Sequence, residues 1–141
     1  MVPIADIPPG RFLPWPVIAA RRPELCAFGA VVIERSEIVY LATVSRTGRP
    51  RVTPLRVSLD GGLLIRVDSE APAARELRSN PFFHLQAGPS SDEQFTIRGW
   101  ARIVAEGQEI VFELLADGAH GASPSGDDMW FAEGGPTPCP S

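Results

Sequence analysis

Three short apolar runs separated by two glycine-containing turns constrain the fold of this chain more than any other feature. The runs cover residues 38–44, 51–59 and 63–67, and all three contain β-branched residues. The first turn contains Thr47-Gly48, and the second contains Asp60-Gly61-Gly62. Runs of this kind separated by Thr-Gly and Asp-Gly turns are typical of consecutive β-hairpins. The stretch is therefore predicted to form a three-stranded antiparallel meander.

The bulk composition is that of one globular domain. The chain has 141 residues, of which 44% are hydrophobic and 21% are charged, and these values are ordinary for a soluble domain of this length. The net charge of −4 argues against a nucleic-acid partner. All thirteen cationic side chains are arginine. A phosphate held by a side-chain cation would therefore be held by arginine.

The two cysteines, Cys26 and Cys139, are too few for a disulfide framework and lack metal-site spacing. We expect two free thiols in a reducing cytoplasm and no bound metal. No apolar run approaches the roughly 18 residues of a membrane-spanning helix. Prolines interrupt the N-terminal segment, which lacks the continuous apolar core of a signal peptide. The sequence thus predicts a cytoplasmic protein with no membrane association.

Two helices and a proline-rich arm are predicted around the meander. Apolar residues recur at spacings of three and four over residues 23–35, which predicts a helix with one apolar face. A shorter helix is predicted over residues 71–79, with Asp68 or Ser69 as its N-cap. Residues 1–21 form a Pro-rich N-terminal arm. Its aromatic residues either cover a groove on the same chain or cross to a partner subunit.

Further strands are predicted over residues 82–87, 93–104 and 129–131. Gly99 lies inside the longest of them, where an interior glycine indicates a bulge or a close approach of another backbone. Residues 108–116 fit either a helix or a hairpin strand, and we favour the helix. Together these elements predict an α+β fold, most simply a small antiparallel β-barrel with two or three short helices.

The domain is predicted to extend over residues 22–132. The segment 133–141 is rich in glycine and proline, and we expect it to be a flexible tail. Four side chains inside the domain, Tyr40, His84, Trp100 and Trp130, are interpreted as packing residues. For the two tryptophans, contact with a flat ligand ring is the alternative.

Four motifs occur in an order that points to a known family. They are the run 38–45, then Gly48-Arg49-Pro50-Arg51-Val52-Thr53-Pro54, then Leu77-Arg78-Ser79-Asn80-Pro81, then Ile97-Arg98-Gly99-Trp100-Ala101. In this order and spacing, over residues 22–105, the chain resembles the pyridoxamine 5′-phosphate oxidase-like family of FMN-binding split barrels. The resemblance implies a mainly β, antiparallel split barrel of about six strands with two or three short helices. It also implies a homodimer with its cofactor at the subunit interface.

The resemblance assigns a cofactor role to the second predicted strand. The family uses an arginine and a lysine five residues apart to bind the flavin phosphate and ring edge, and the matching positions are Arg51 and Arg56. Arginine keeps the charge and offers a fork suited to phosphate. Residues five apart face opposite sides of a regular strand, so a bulge at Pro54 is predicted to turn both to one side. The backbone of residues 52–55, which includes Val52, Thr53 and Pro54, would face the ring.

The resemblance also implicates the end of the third predicted strand and the start of the following helix. The matching residues are Arg66, Val67, Asp68 and Ser69, followed by Pro72-Ala73. The N–H groups of a helix start suit an anion. Relatives usually carry lysine where this chain has Ala73, and Asp68 adds negative charge beside the site. Arg75, two residues on, would have to supply the missing cation.

Three functions are considered. The first is a flavoprotein oxidoreductase that passes a hydride between FMN, or the deazaflavin F420, and an unidentified small molecule. No catalytic residues are identified, because no nucleophile motif and no Rossmann or Walker loop is present, and a flavin itself supplies the hydride chemistry. The second is a non-catalytic split barrel that has lost flavin and binds haem or another flat ligand, which the residue Ala73 supports. The third, a binder of single-stranded nucleic acid, is disfavoured by the negative charge.

Overall fold

A computed structural model describes the backbone of residues 11–90 and 92–132, and their side chains except those of residues 89 and 90. This part of the chain forms three helices and eight strands. They are α1 (Trp15–Arg21), α2 (Pro23–Arg35), β1 (Val39–Val44), β2 (Pro50–Leu55), β3 (Val57–Leu59), β4 (Leu63–Asp68), α3 (Pro72–Ser79), β5 (Phe82–Ser90), β6 (Glu93–Ala105), β7 (Glu109–Ala122) and β8 (Asp128–Ala132). None of the described helices is long and apolar enough to cross a membrane.

All eight strands belong to one antiparallel sheet. The strand order is β2-β1-β5-β6-β7-β4-β3, and β8 pairs with the second half of β7. β2 and β3 occupy opposite ends of this order, although only Arg56 separates them in the chain. The sheet must therefore curl until its two ends meet at Arg56. The result is the α+β split barrel that the sequence predicts, with eight strands rather than about six.

The core lies between the inner face of the curled sheet and the helices. Alternating residues of β1, β5 and β6 point inward, and Leu41, Leu85 and Ile97 are each no more than 1% exposed. Helix α2 covers this face so closely that a Cβ on Gly29 would lie 2.7 Å from the ring of Phe95. The predicted helix over residues 23–35 and the predicted strands of the meander are confirmed. The second run of the meander forms two strands, β2 and β3, with different partners.

The helix favoured over residues 108–116 is wrong, because this segment is the first part of β7. β7 pairs with β6 along one edge, and with β4 and then β8 along the other. Side chains on both faces of β7 are buried, as with Phe112 at 0% and Leu115 at 4% exposure. A strand buried on both faces lacks the alternation of polar and apolar residues, so its sequence does not distinguish it from a buried helix.

The close approach predicted at Gly99 is confirmed. The pairing of β6 with β7 shifts register between Arg98 and Gly99. A Cβ on Gly99 would lie 1.9 Å from the backbone oxygen of Leu115. Glycine is therefore required because the two backbones are too close for any side chain between them.

The bulge predicted at Pro54 is wrong. β1 and β2 pair in unbroken register from Val39↔Leu55 to Val44↔Pro50, and Pro54 pairs regularly with Tyr40. Pro54 is tolerated because β2 is an edge strand, which pairs with β1 alone within residues 11–90 and 92–132. The strand is instead interrupted at Arg56, where the chain passes from β2 to β3.

The predicted N-cap of α3 is also wrong. Ala71 occupies the N-cap position, and no side chain there caps the helix. The carboxylate of Asp68 instead accepts a hydrogen bond from the backbone N–H of Glu70 at 2.8 Å. Pro72 sits in the first turn of the helix as expected. Asp68 therefore stabilises the turn before the helix and does not cap the first N–H groups of the helix.

The N-terminal arm joins the fold from residue 12 onward. Leu13 forms an isolated β-bridge with Ala116, and the ring of Phe12 packs near those of Phe82 and Trp100. These contacts support the interpretation that the aromatic residues of the arm cover a groove on the same chain. Helix α1 follows at once and was not predicted. Residues 1–10 and the predicted tail, 133–141, lie outside the described residues.

Candidate functional site

A surface cavity of about 560 Å³ lies between the β1–β2 turn and helix α3. It is lined by Ser45, Arg46, Thr47, Arg51, Pro72, Arg75, Glu76 and Ser79. Three guanidinium groups and one carboxylate thus line the cavity, together with three hydroxyl groups. A cavity with excess positive charge and several hydrogen-bond donors suits an anionic group such as a phosphate.

The cavity contains a buried hydrogen-bond network centred on Glu76. The Nε–H of Arg51 donates to both carboxylate oxygens of Glu76 at 3.0 Å. The hydroxyl of Thr43 donates to Oε1 of the same carboxylate at 2.8 Å. Thr43 is fully buried and Glu76 is 9% exposed. The carboxylate is therefore held from two strands, β1 and β2, that flank the helix.

The network keeps Glu76 ionised. Burial opposes ionisation of this carboxyl group, but hydrogen bonds from Thr43 and Arg51 and the charges of Arg51 and Arg75 outweigh that effect and lower its pKa. The carboxylate engages the Nε of Arg51, and the two Nη groups of a guanidinium carry its remaining N–H donors. The side chain of Arg51 is 45% exposed. Glu76 therefore fixes Arg51 in one orientation beside the solvent-accessible cavity.

Arg51 and Arg75 are the residues predicted from sequence that line this cavity. Arg56 follows the far end of β2, about 16 Å from Arg51 along an extended strand, and it does not line the cavity. Ala73 is 1% exposed and packs in the core.

The other predicted residues do not line the cavity. Val67 is 7% exposed and faces the core at the end of β4, while Asp68 is exposed. The backbone N–H of Ser69 donates to the carbonyl of Gln108 at 2.9 Å. That N–H group is therefore engaged within the protein in this structure.

The predicted ring-facing segment lies on the open edge of the sheet. β2 pairs only with β1, so the backbone groups on its other edge have no strand partner among the described residues. Pro54 contributes no N–H there, and the side chain of Val52 is 63% exposed. An open strand edge of this kind offers backbone donors and acceptors to a ligand or another chain.

Sequence reasoning missed the two residues that organise the cavity, Thr43 and Glu76. Thr43 occupies an inward position of an apolar strand, and Glu76 follows a run of alanines and arginine in a short helix. A polar residue at an inward strand position needs a buried partner. That requirement was the available signal, but the sequence does not identify the partner 33 residues away.

Exposed apolar side chains form a patch on the outer face of β2, β1 and β5. Val52 is 63%, Tyr40 53% and Phe82 51% exposed. Val52 pairs with Ala42, and Tyr40 pairs with Gln86, which places these side chains on the same face. The interpretation of Tyr40 as a packing residue of the core is therefore wrong. A cluster of large, exposed apolar side chains is typical of an interaction surface.

The comparisons with known proteins agree with this architecture. The family model described as pyridoxamine 5′-phosphate oxidase matches residues 30–129. A haem binding protein from Mycobacterium smegmatis has a TM-score of 0.68 at 16% identity, over 79% of this chain and 59% of that chain. This chain thus spans less than two thirds of that protein.

Two further solved structures share the fold. The haem storage protein HutZ from Vibrio cholerae gives a TM-score of 0.56 at 17% identity, over 80% of this chain and 94% of that chain. An F420 reductase gives a TM-score of 0.55 at 16% identity, over 63% of this chain and 93% of that chain. At these identities the similarity establishes the fold alone. A sequence comparison with curated proteins finds no match.

Proposed function

Because the chain belongs to the pyridoxamine 5′-phosphate oxidase family, we propose that it binds FMN, or the deazaflavin F420, with a phosphate in the arginine-lined cavity. The observation that carries the proposal is the arrangement of Arg51, Arg46 and Arg75 around one cavity of about 560 Å³. Glu76 neutralises one of these three charges and the other two remain. The residues present therefore fit an anionic phosphate, and a bound flavin would supply hydride transfer with an unidentified small molecule.

Different residues of the chain bind the phosphate and orient the ring. The Nη groups of Arg51 and the guanidinium of Arg75 bind the phosphate by charge-assisted hydrogen bonds. The hydroxyls of Ser45 and Thr47 lie in the adjoining turn 3.0 Å from each other, so one of the two hydroxyl protons remains as a neutral donor. The open edge of β2 over residues 52–54 orients the ring through backbone groups. Arg56, at the end of the same strand, contacts the ring edge or a substrate rather than the phosphate.

We also propose that the protein is a homodimer, with the apolar patch as its contact surface and the cofactor at the subunit interface. Arg51 and Val52 are consecutive on β2 and therefore point to opposite faces of the strand. Arg51 faces the cavity, and Val52 belongs to the patch. The cavity and the contact surface thus lie on opposite faces of one edge strand, and a second copy that also reaches over the open edge of β2 would exclude water from the bound ring.

Titration with FMN and with riboflavin, which lacks the phosphate, tests the phosphate site. Loss of a hydrogen bond to a charged group corresponds to roughly a 10- to 150-fold weaker affinity. We expect Arg51→Gln and Arg75→Gln to weaken FMN binding by about that factor and to leave riboflavin binding unchanged. Arg78→Gln is the matched control, because Arg78 lies on the same helix but pairs with Glu106 outside the cavity. Equal losses for the two ligands, or for the control variant, would contradict the proposal.

A non-catalytic barrel that binds haem or another flat ligand is the second candidate. The observation that favours it is the Arg51–Glu76 pair, which uses one donor of the predicted phosphate-binding arginine within the protein itself. Haem titration followed by absorbance near 400 nm, roughly the region of the haem Soret band, separates the two candidates. Tight haem binding in a protein that ignores FMN would replace the flavin proposal with this one.

A further inference from the structure

A second cavity, of about 450 Å³, lies on the outer face of the sheet, beside the apolar patch, and contains none of the residues proposed above to bind the phosphate. Its side walls are formed by His84 and Arg98 on one side, and by His120 and Trp130 on the other. These residues come from four different strands, β5, β6, β7 and β8. The cavity is therefore set on the rigid sheet rather than on a loop.

Small residues form the floor of this cavity. Arg98, Gly118 and Ala132 lie in one row across β6, β7 and β8, and the next row carries His120 beside Trp130. A Cβ on Gly118 would lie 2.7 Å from Nε of Arg98. The absence of a side chain at Gly118 thus allows the guanidinium of Arg98 to extend over the floor. The cavity exists because this row of small residues lies beside a row of large aromatic side chains.

The aromatic wall is flat and anchored. The rings of His120 and Trp130 stack with centroids 3.9 Å apart and planes inclined by 25°. Nε2 of His120 lies 3.2 Å from a carboxylate oxygen of Asp128, which fixes the imidazole. The indole Nε1 of Trp130 is buried and has no hydrogen-bond acceptor within the part of the chain that is described. That N–H is enclosed by protein, so the wall presents ring faces rather than a hydrogen-bond donor to a ligand.

Arg98 supplies the positive charge of the cavity. Its Nε lies 3.7 Å from the carboxylate of Asp117, beyond hydrogen-bond distance, and its side chain is 62% exposed. Burial and the charge of Arg98 lower the pKa of His84, which is therefore neutral at pH 7. Asp128 faces His120, and Asp117 lies beside Arg98 outside the lining. Asp117 partly offsets the charge of the guanidinium, but this ion pair contains no hydrogen bond, so the N–H donors of Arg98 remain available to an anion.

We propose that this outer cavity binds a small aromatic carboxylic acid, with its ring against the His120–Trp130 wall and its carboxylate on the guanidinium of Arg98. A carboxylate matches the planar fork of an arginine, and a flat ring matches the stacked wall. Ligand cavities range from about 300 to 1,000 Å³, so a volume of about 450 Å³ suits an acid of one or two rings. The neutral His84 adds one donor and one acceptor at the carboxylate end.

Calorimetric titration with 2-naphthoate and with its neutral analogue 2-naphthamide tests the proposal. We expect the acid to bind roughly ten times more tightly than the amide. Arg98→Gln should reduce affinity for the acid to that for the amide and leave the amide unchanged. Trp130→Leu, which removes the flat ring but keeps an apolar side chain, should weaken both ligands. Arg78→Gln, remote from this cavity, should change neither.

Three results would overturn the proposal. The first is absence of 2-naphthoate binding at millimolar concentration. The second is equal affinity for the acid and the amide. The third is an oligomeric state that differs between Arg98→Gln and a wild type that does not bind 2-naphthoate. Measured by sedimentation, that result would assign the cavity to a contact between copies of the chain. FMN titration of Arg98→Gln separates this cavity from the cofactor proposal: unchanged FMN affinity supports an independent site, and competition between FMN and 2-naphthoate refutes it.

Discussion

The substitution Thr43→Val gives the sharpest test of the network that orients Arg51. Valine has nearly the shape of threonine, so the change removes the hydroxyl with little change in packing. Thr43 is 0% exposed, and its hydroxyl donates to Oε1 of Glu76 at 2.8 Å. Since the side chain is buried, water has no access to replace the lost donor. The carboxylate of Glu76 is then left with the donor of Arg51 alone.

The magnitude follows from the charge on the acceptor and from burial. A hydrogen bond to a charged group contributes about 1.5–3 kcal/mol to the free energy of unfolding. The additional buried methyl group offsets about 0.8 kcal/mol of that loss. We therefore expect Thr43→Val to lower the free energy of unfolding by about 1–2 kcal/mol, which corresponds to a Tm lower by about 3–8 °C for a domain of this size.

Urea unfolding at a series of pH values provides the assay. The pKa of Glu76 is lowered in the folded protein, so its contribution to stability is present above the pKa of a free glutamic acid, about 4.3. That contribution is lost as the pH falls through the lower folded value. The stability difference between the wild type and Thr43→Val should consequently be full at pH 7 and should shrink below about pH 4.3. A protonated carboxyl group accepts a weaker, neutral hydrogen bond.

Two controls make the test decisive. Thr53→Val changes the same atoms at a partly exposed position of β2, and we expect a change within about 0.5 kcal/mol. In a Glu76→Gln background, Thr43→Val should cost less than in the wild type, because the acceptor is uncharged. A Thr43→Val protein as stable as the wild type would refute the reasoning. The same holds for a difference that is independent of pH, or for strictly additive effects of the two substitutions.

Three further predictions follow from burial and close approach. Gly99→Ala should lower the free energy of unfolding, measured in urea, by more than about 3 kcal/mol, because its Cβ would lie 1.9 Å from a backbone oxygen of β7. Gly107→Ala is the control and should not cause this loss, because no atom lies closer than 3.8 Å to its Cβ. Val52→Asp should shift sedimentation from dimer to monomer, whereas Val31→Asp, on helix α2 at 49% exposure, should not. Burial raises the pKa of the Cys26 thiol to about 11, so at pH 8 alkylation of its peptide, followed by mass spectrometry, should be slow in native protein and fast in urea; equal rates would contradict that burial.

The local elements were predictable where sequence pattern and turn chemistry agree. The Asp60-Gly61 turn marks one hairpin correctly, and Gly61 adopts φ 72°, a conformation suited to glycine. β7 was not predictable as a strand, because its burial on both faces removes the period of two on which strand prediction depends. The topology supplies the missing information, since only a central strand has neighbours along both edges.

The candidate site was predictable only in part, for a similar reason. Arg51 was identified through a motif, which is a local signal. Its partner Glu76 is 25 residues away, and their contact depends on α3 packing beside β1 and β2. No pattern within either segment specifies that packing. The outer patch was missed because Tyr40 and Phe82 are apolar residues of strands, and a sequence does not reveal which face of a strand is left uncovered.

The helical geometry of α3 bears directly on the choice between a flavin site and a site that has lost flavin. Pro72, Arg75, Glu76 and Ser79 lie at spacings of three, four and seven and line the cavity as one stripe. Ala73 lies on the opposite, core-facing side with Leu77, which is also 1% exposed. A lysine at position 73 would begin its side chain in the core, whereas Arg75 already lies on the cavity side. The absence of lysine at Ala73 therefore weighs less against phosphate binding than the sequence implies, and Arg75 becomes the second cation of the proposed site.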